Sequence, residues 1–343
     1  MIDLLKTLCR ASGVSGDEGE IREIIRAYAE RYADDIFEDA LGNLIVTKSG
    51  ERRTEKKVML CAHMDEVGVI ATAITDDGYV KFACAGGIDR RVLVGKHVYF
   101  GKNRVPGIVG CGAIHLLKGD ARENVPQTDD MYIDIGANSK EAAQKLVEIG
   151  DTGAFDADIL EFGSGFIRAK ALDDRVGCAV LLRILAEELP VDATLVFTVQ
   201  EEVGARGAAV AAFAVAPDIS LILEATTAAD LPDVSGGKRV CELGGGGVVP
   251  FMDGGAVYDR ELYDMLTSAA DRKGIAWQTK KYISGGTDAQ AVQRSRGGVK
   301  TLAIAAPVRN LHSPACVGKI SDIEGVYTLA RLFLDEIGVR HGV

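Results

Sequence analysis

The chain has 343 residues, 47% of them hydrophobic and 26% charged, with a formal net charge of -11. A chain of this length buries a large core, and its acidic excess excludes nucleic acid as partner, because phosphate neutralisation needs a basic face. The segment Met1-Ile2-Asp3-Leu4-Leu5 lacks the basic start of a signal peptide, and no apolar run approaches the ~20 residues of a membrane span.

Seven cysteines are scattered without a C-x-x-C pair, several inside apolar segments. Buried free thiols in a reducing cytoplasm are therefore expected, and no membrane partner.

In chain order, residues 2–9 form an amphipathic helix and 20–32 a second, with Ile21, Ile24, Ile25 and Tyr28 on one stripe. Asp17 and Glu18 suit the dipole at its start, and nothing more is expected of them. Strands follow at 36–37, 43–47 and 58–62. The last is a continuous apolar run, as for a strand buried on both faces, and leads directly into His63-Met64-Asp65-Glu66.

From 67 to about 164 the texture changes to period-two segments separated by turns (67–74, 79–83, 97–100, 106–114 and 131–135), with one helix at 139–148. This predicts a small β-rich insert or barrel. After Leu172 helices and strands alternate: helix 175–189, strand 193–199, helix 205–213, strand 219–223, helix 259–273, strand 276–282, helix 287–295, strand 300–305 and helix 321–337. That order predicts an α/β fold with a mostly parallel sheet covered by helices on both faces. Residues 1–66 with 165–343 then form one α/β domain, interrupted by the insert at 67–164.

Chemistry-bearing residues gather where strands end. Asp173 and Asp174 precede an apolar helix. One of them can cap it, which leaves the other free to face the strand-end crevice where open α/β sheets bind ligands. His63, the pair Glu201-Glu202, Glu224 and His312 occupy comparable positions. Each alone has a plain reading as a cap, a solvated strand end or a loop histidine. Two imidazoles with three carboxylates suit Zn²⁺, Co²⁺ or Mn²⁺, and a two-metal site needs a bridging carboxylate, for which Asp173 is suited. Adjacent glutamates allow one to ligate while the other handles a proton. Ser284-Gly285-Gly286-Thr287 opens a helix; its backbone N–H groups suit a substrate carbonyl or anion, or a plain glycine turn. No G-x-S-x-G, H-E-x-x-H or phosphate-loop motif is present.

Five segments in order carry a resemblance: Ala62-His63-Met64-Asp65-Glu66, Leu172-Asp173-Asp174-Arg175, Gln200-Glu201-Glu202-Val203-Gly204, Gly285-Gly286-Thr287-Asp288-Ala289 and Arg309-Asn310-Leu311-His312-Ser313-Pro314. The set resembles metallopeptidase family forty-two, the tetrahedral, glutamyl and deblocking aminopeptidases, some of which carry endoglucanase names. The resemblance implies a di-metal peptidase domain with a PDZ-like insert. It also implies His63, Asp173 and Glu224 on one ion, Asp173, Glu202 and His312 on the other, Glu201 as general base and Asp65 orienting His63. It further implies short peptide substrates and a homo-oligomer, a dodecamer built from dimers. Three departures stand out: Glu224 replaces the family's usual Asp, Asn310 its common aromatic, and Ala315-Cys316 the site of a frequent glutamate.

The expected activity is removal of N-terminal residues from short peptides. Competing readings are a metal-dependent deacylase of N-acyl amino acids and a non-catalytic peptide-binding or assembly scaffold. A cellulase, which needs two carboxylates flanking a sugar, has less to recommend it. For the first substrate residue the sequence leaves acidic, neutral and basic side chains open. Lys238 and Arg239 are either cationic partners for an acidic side chain or solvated surface.

Overall fold

The apolar run after residue 57 becomes the strand Val58–His63, with all six residues buried, in a computed structural model that describes residues 1–156 and 158–342. On one side it pairs in parallel with Ala193–Thr198, on the other with Ile219–Thr227, and Lys300–Arg309 lies parallel to the latter. These four strands point their carboxyl ends to one edge. Valine, isoleucine, leucine and alanine dominate them because helices leave neither face to water.

Beyond this centre the sheet is mixed, not mostly parallel. Leu44–Lys48 and Asp35–Glu38 extend one flank antiparallel, and Cys316–Lys319, Phe166–Ala169 and Leu160–Phe162 extend the other in the same sense. Asp35–Glu38 with Leu44–Lys48, Leu160–Phe162 with Phe166–Ala169, and Lys300–Arg309 with Cys316–Lys319 are joined by short connections, which permit only antiparallel pairing. Leu160–Phe162 belongs to this sheet although it falls within the stretch 67–164.

The helix Leu172–Leu185 is buried almost throughout. It packs under Val58–His63 and Ile219–Thr227 and against the helices Ile2–Arg10, Gly19–Ala29 and Ile320–His341. A separate pair, Arg206–Val215 and Ala289–Val292, packs together. The helix Arg260–Lys273 shows the local logic. Asp259 accepts a hydrogen bond from the Leu262 N–H at 3.0 Å, and Gly274 closes the last turn at φ +66°.

The period-two region forms a closed antiparallel barrel of six strands, in the order Gly68–Ile74, Val80–Ala85, Met131–Asp134, Val105–Cys111, His97–Phe100 and Thr152–Phe155. The last strand pairs back onto the first, so no strand edge stays open. Its core, which includes Val69, Phe82, Phe100, Val109 and Ile133, is separate from the large core.

Three expected elements are shorter than their patterns suggest. The helix at 139–148 covers only Lys140–Ala143; Ala143 and Val147 alone are buried there, too narrow a stripe for ten residues. The strand at 276–282 shrinks to Trp277–Gln278, and Lys280 is buried beyond its end. The helix at 287–295 spans Ala289–Val292. Among the described residues no helix is long and apolar enough to cross a membrane, and all seven cysteines are free.

Candidate metal centre

Ala171 enters the helix Leu172–Leu185 in the left-handed region at φ +53°, and Asp173 and Asp174, joined by a cis peptide, have non-helical backbone. Asp174 turns back as the cap, its Oδ1 accepting from the Gly177 N–H at 2.8 Å. Only glycine fits at 177, since a Cβ would sit 2.3 Å from Asp174 Oδ2. Asp173 turns the other way. Its Oδ1 lies 3.3 Å from His63 Nε2 and its Oδ2 lies 3.2 Å from His312 Nε2.

Each imidazole also meets its own glutamate, with His63 Nε2 3.4 Å from Glu224 Oε1 and His312 Nε2 3.3 Å from Glu202 Oε2. The other ring nitrogens are engaged. His63 Nδ1 lies 3.1 Å from the Asp65 carbonyl and 3.3 Å from Asp65 Oδ1, and His312 Nδ1 donates to the Gly87 carbonyl at 2.8 Å. An Nδ1 so occupied leaves the Nε2 lone pair free to ligate. The four parallel strands supply the set: His63 ends one, Glu224 lies near the end of the next, and Glu201-Glu202 and His312 follow the other two.

Asp65 ties these loops together. Fully buried, its carboxylate accepts from Ser15 Oγ at 2.6 Å and from the N–H groups of Glu201 and Glu202 at 2.9 and 3.2 Å. Gln200, at φ +56°, is held by its N–H on Glu18 Oε1 at 3.2 Å. A left-handed non-glycine residue costs about 1–3 kcal/mol and persists only where its surroundings over-determine it. Glu18 therefore does more than suit a dipole, and Asp17 too is engaged, accepting from Thr152 Oγ of the barrel at 2.6 Å. Behind the loop, Asn43 accepts from the Val199 N–H at 3.0 Å and donates to the Gly207 carbonyl at 3.0 Å.

Five carboxyl groups (Asp173, Asp174, Glu201, Glu202 and Glu224) thus face two imidazoles in a largely buried site. Burial pushes Glu224 well above the usual carboxylate range, Glu202 up to about 7 and Glu201 up to about 10, and their mutual charges add to the effect. Burial works against Asp173 as well, but hydrogen bonds from His312 and His63 more than offset it and hold that carboxyl low. Burial lowers His63, yet Glu224, Asp173 and Asp65 raise it well above an ordinary imidazole. Ligand atoms of His63, Asp173 and Glu202 lie within 4.8 Å of one another, as do those of His63, Asp174 and Glu224. Asp174 Oδ2 has no hydrogen-bond partner although buried. Five crowded carboxyl groups, one with an orphaned buried oxygen, together with two imidazoles form a donor set that fits divalent cations.

A cavity of about 350 Å³ opens beside the cluster. Gly285 and Gly286 line it, whereas Lys238 and Arg239 do not. Sequence reasoning missed Gly87, Asp253, Tyr258 and Lys280, all on its wall. Gly87 follows a barrel strand with no local signal. Lys280, four residues before Ser284, is the one a closer look at charge next to that motif could have found.

Residues 42–329 match the family model described as M42 glutamyl aminopeptidase. A chain of Acetivibrio thermocellus assigned by name to the aminopeptidases is 40% identical over 96% of this chain and 97% of its own length. The solved structure of an aminopeptidase from the archaeon Desulfurococcus kamchatkensis superposes with a TM-score of 0.92 at 33% identity, covering 98% of this chain and 94% of that one. A TET peptidase of Pyrococcus horikoshii, which can assemble into a tetrahedron or a large octahedral shell, superposes with a TM-score of 0.85 at 36% identity, covering 97% and 98%.

Proposed function

The chain belongs to the M42 glutamyl aminopeptidase family and is a peptide-bond hydrolase, and from that premise we propose that it is a two-metal aminopeptidase acting on short peptides. The observation that carries this reading is Asp173, whose two oxygens face two different imidazoles. The direct contacts favour His63, Asp173 and Glu224 around one ion and Asp173, Glu202 and His312 around the other, with Asp173 shared. Zn²⁺, Co²⁺ and Mn²⁺ all suit these donors. When bound, such ions supply Lewis acidity to the scissile carbonyl and make a water acidic enough to release a proton near neutrality.

The protein's own groups do the rest. Glu201, whose carboxyl is held up at about 10 by burial in the metal-free site and would be lowered by two bound cations, takes a proton from the attacking water at a carboxylate oxygen and returns it to the leaving amine. Asp65 orients His63 and, through the Glu201 and Glu202 N–H groups, fixes the base relative to the ligands. Gly285 and Gly286 line the channel along which the substrate backbone would lie. Residues 1–66 with 165–343 are the catalytic unit in this reading, and 67–164 an insert corresponding to the family's PDZ-like module. The assembly of the Pyrococcus relative favours a homo-oligomer, with a dodecamer built from dimers as the specific form, and the free thiols favour the cytoplasm.

The test is Glu201→Gln assayed on aminoacyl p-nitroanilides with N-acetylated controls. Elemental analysis should find the wild-type metal content, while kcat falls by about 10²–10⁴. Near-normal turnover would remove Glu201 as the base, and wild-type cleavage of acetylated substrates alone would make the protein a deacylase.

A further inference from the structure

The Glu201 side chain is aimed by its backbone. Its carboxylate lines the cavity, and among the described residues no hydrogen bond or ion pair reaches it. The main chain around it is held instead at successive N–H groups, Glu201 and Glu202 on Asp65, and Gln200 on Glu18 Oε1 at 3.2 Å. Past this point the N–H groups of Gly204 and Ala205 return to the Glu201 carbonyl at 2.8 and 2.9 Å. Of these anchored residues Gln200 is the strained one. It stands at φ +56°, where a non-glycine residue needs support from its surroundings.

Glu18 supplies that support from a distant part of the chain. It occupies the N-cap of the helix Gly19–Ala29, where an acidic side chain ordinarily accepts from the first helical N–H groups, yet it makes no such bond. The side chain turns away, only 4% exposed, and one oxygen accepts from both the Gly16 N–H at 2.7 Å and the Gln200 N–H. The first bond fixes the carboxylate on its own turn. The second carries that position across 182 residues to the loop of Glu201. Ser15, in the same turn, holds Asp65 through its Oγ, so residues 15–18 fasten the N–H groups of 200–202 directly or through Asp65.

Resting on the assignment of Glu201 as general base, we propose that Glu18 is a positioning residue for it. By accepting from the Gln200 N–H, Glu18 holds Gln200 in its left-handed conformation, and this sets the direction in which the Glu201 side chain leaves the main chain. Glu18 does not line the cavity, so its effect falls on the chemical step and not on substrate binding. Glu202, one residue further, has its own contact with His312 at 3.3 Å, so metal binding depends less on Glu18 than the base does.

The test measures kcat, KM and metal content of the full-length metal-loaded protein on aminoacyl p-nitroanilides. Glu18→Ala should lower kcat by about 10- to 100-fold, the effect of misplacing a reacting group by about 1 Å, while KM and metal content stay at wild-type values. Glu18→Gln, whose amide oxygen still accepts both N–H groups, should retain most of the turnover. Glycine adopts positive φ without strain, so Gln200→Gly in the Glu18→Ala background should restore part of the lost kcat, a coupling that independent sites do not show. Glu18→Asp withdraws the carboxylate by one methylene and reads the same contact if the alanine variant does not fold, as thermal unfolding establishes. Asp17→Ala, in the same turn, should keep wild-type kcat. A folded Glu18→Ala with wild-type kcat, equal losses from Glu18→Ala and Asp17→Ala, or strict additivity with Gln200→Gly overturns the proposal. So does loss of metal in step with activity, which would place Glu18 in support of the ligands. Near-normal turnover of Glu201→Gln would instead strike at the base assignment itself.

Discussion

Lys170→Met tests whether the loop carrying His63 rests on a buried ion pair. Lys170 and the next residue but one after His63–Met64, Glu66, are 6% and 2% exposed, and Nζ lies 2.5 and 2.7 Å from the two Glu66 oxygens. Arg175 reaches Glu66 only at 3.4 Å, and Lys170 also donates to the Ala11 carbonyl at 2.8 Å. The Glu66 backbone in turn joins the loop to the N-terminal turn through its N–H on the Gly13 carbonyl at 2.9 Å. Methionine keeps most of the volume but leaves Glu66 with a single distant partner. Breaking a buried pair from one side costs about 3–5 kcal/mol. With an unfolding entropy of about 2.1 cal/mol/K per residue over this chain, that corresponds to a Tm lower by about 4–7 °C. Differential scanning calorimetry at fixed metal and protein concentration reads the shift. The double variant Lys170→Met with Glu66→Gln should recover much of it, because the stranded charge is gone. A Tm for Lys170→Met within a degree of wild type, with no coupling in the double variant, would refute the argument.

Other outcomes follow from the same geometry. Asp173→Ala should lose metal and activity together; full stoichiometry by elemental analysis would remove Asp173 as the shared ligand. Glu224→Asp withdraws the carboxylate now 3.4 Å from His63 Nε2, so the affinity for one ion should weaken by about 10- to 100-fold, and an unchanged titration would show that Glu224 does not ligate. In chelated protein the folded-state values of Glu202, about 7, and His312, about 9, lie above their ordinary ones. A raised value contributes stability that is complete below the unfolded pKa and disappears as pH rises through the folded one. The Tm of the metal-free protein should therefore fall from pH 4.5 to about 7 on account of Glu202 and from pH 6.5 to about 9 on account of His312, and the loss should shrink when metal is restored, whereas a metal-free Tm flat across that window would contradict the site's electrostatics.

The central strands and the gathering of acids and histidines at their ends were legible because a buried strand leaves no ambiguity about its apolar run. The end of such a run is also where a polar residue stands out. His63 and Glu224 were visible for that reason, and Asp173 because only one of two adjacent acids before an apolar helix is needed as its cap. The flanks were not: Cys316–Lys319 and Phe166–Ala169 are four-residue strands whose direction depends on what they meet in space, not on their own pattern. Supporting contacts such as Ser15 to Asp65, 50 residues apart, leave no periodic trace. Lys280 hides for a related reason. In sequence it stands beside Lys281, and only burial separates the two, one enclosed and the other exposed.

The hydrogen bond from His312 Nδ1 to the Gly87 carbonyl has a consequence for any attempt to treat barrel and sheet as separable parts. His312 sits in a left-handed loop conformation at φ +56°, and Gly87 belongs to the chain that leaves the barrel strand Val80–Ala85. One of the two imidazoles is thus aimed by a backbone atom that the sheet itself does not own. Should copies of the chain associate through the barrel and the proposed ions bind, contact that repositions the barrel would act on that ring, and association and metal affinity would then be linked, each shifting the other by the same factor.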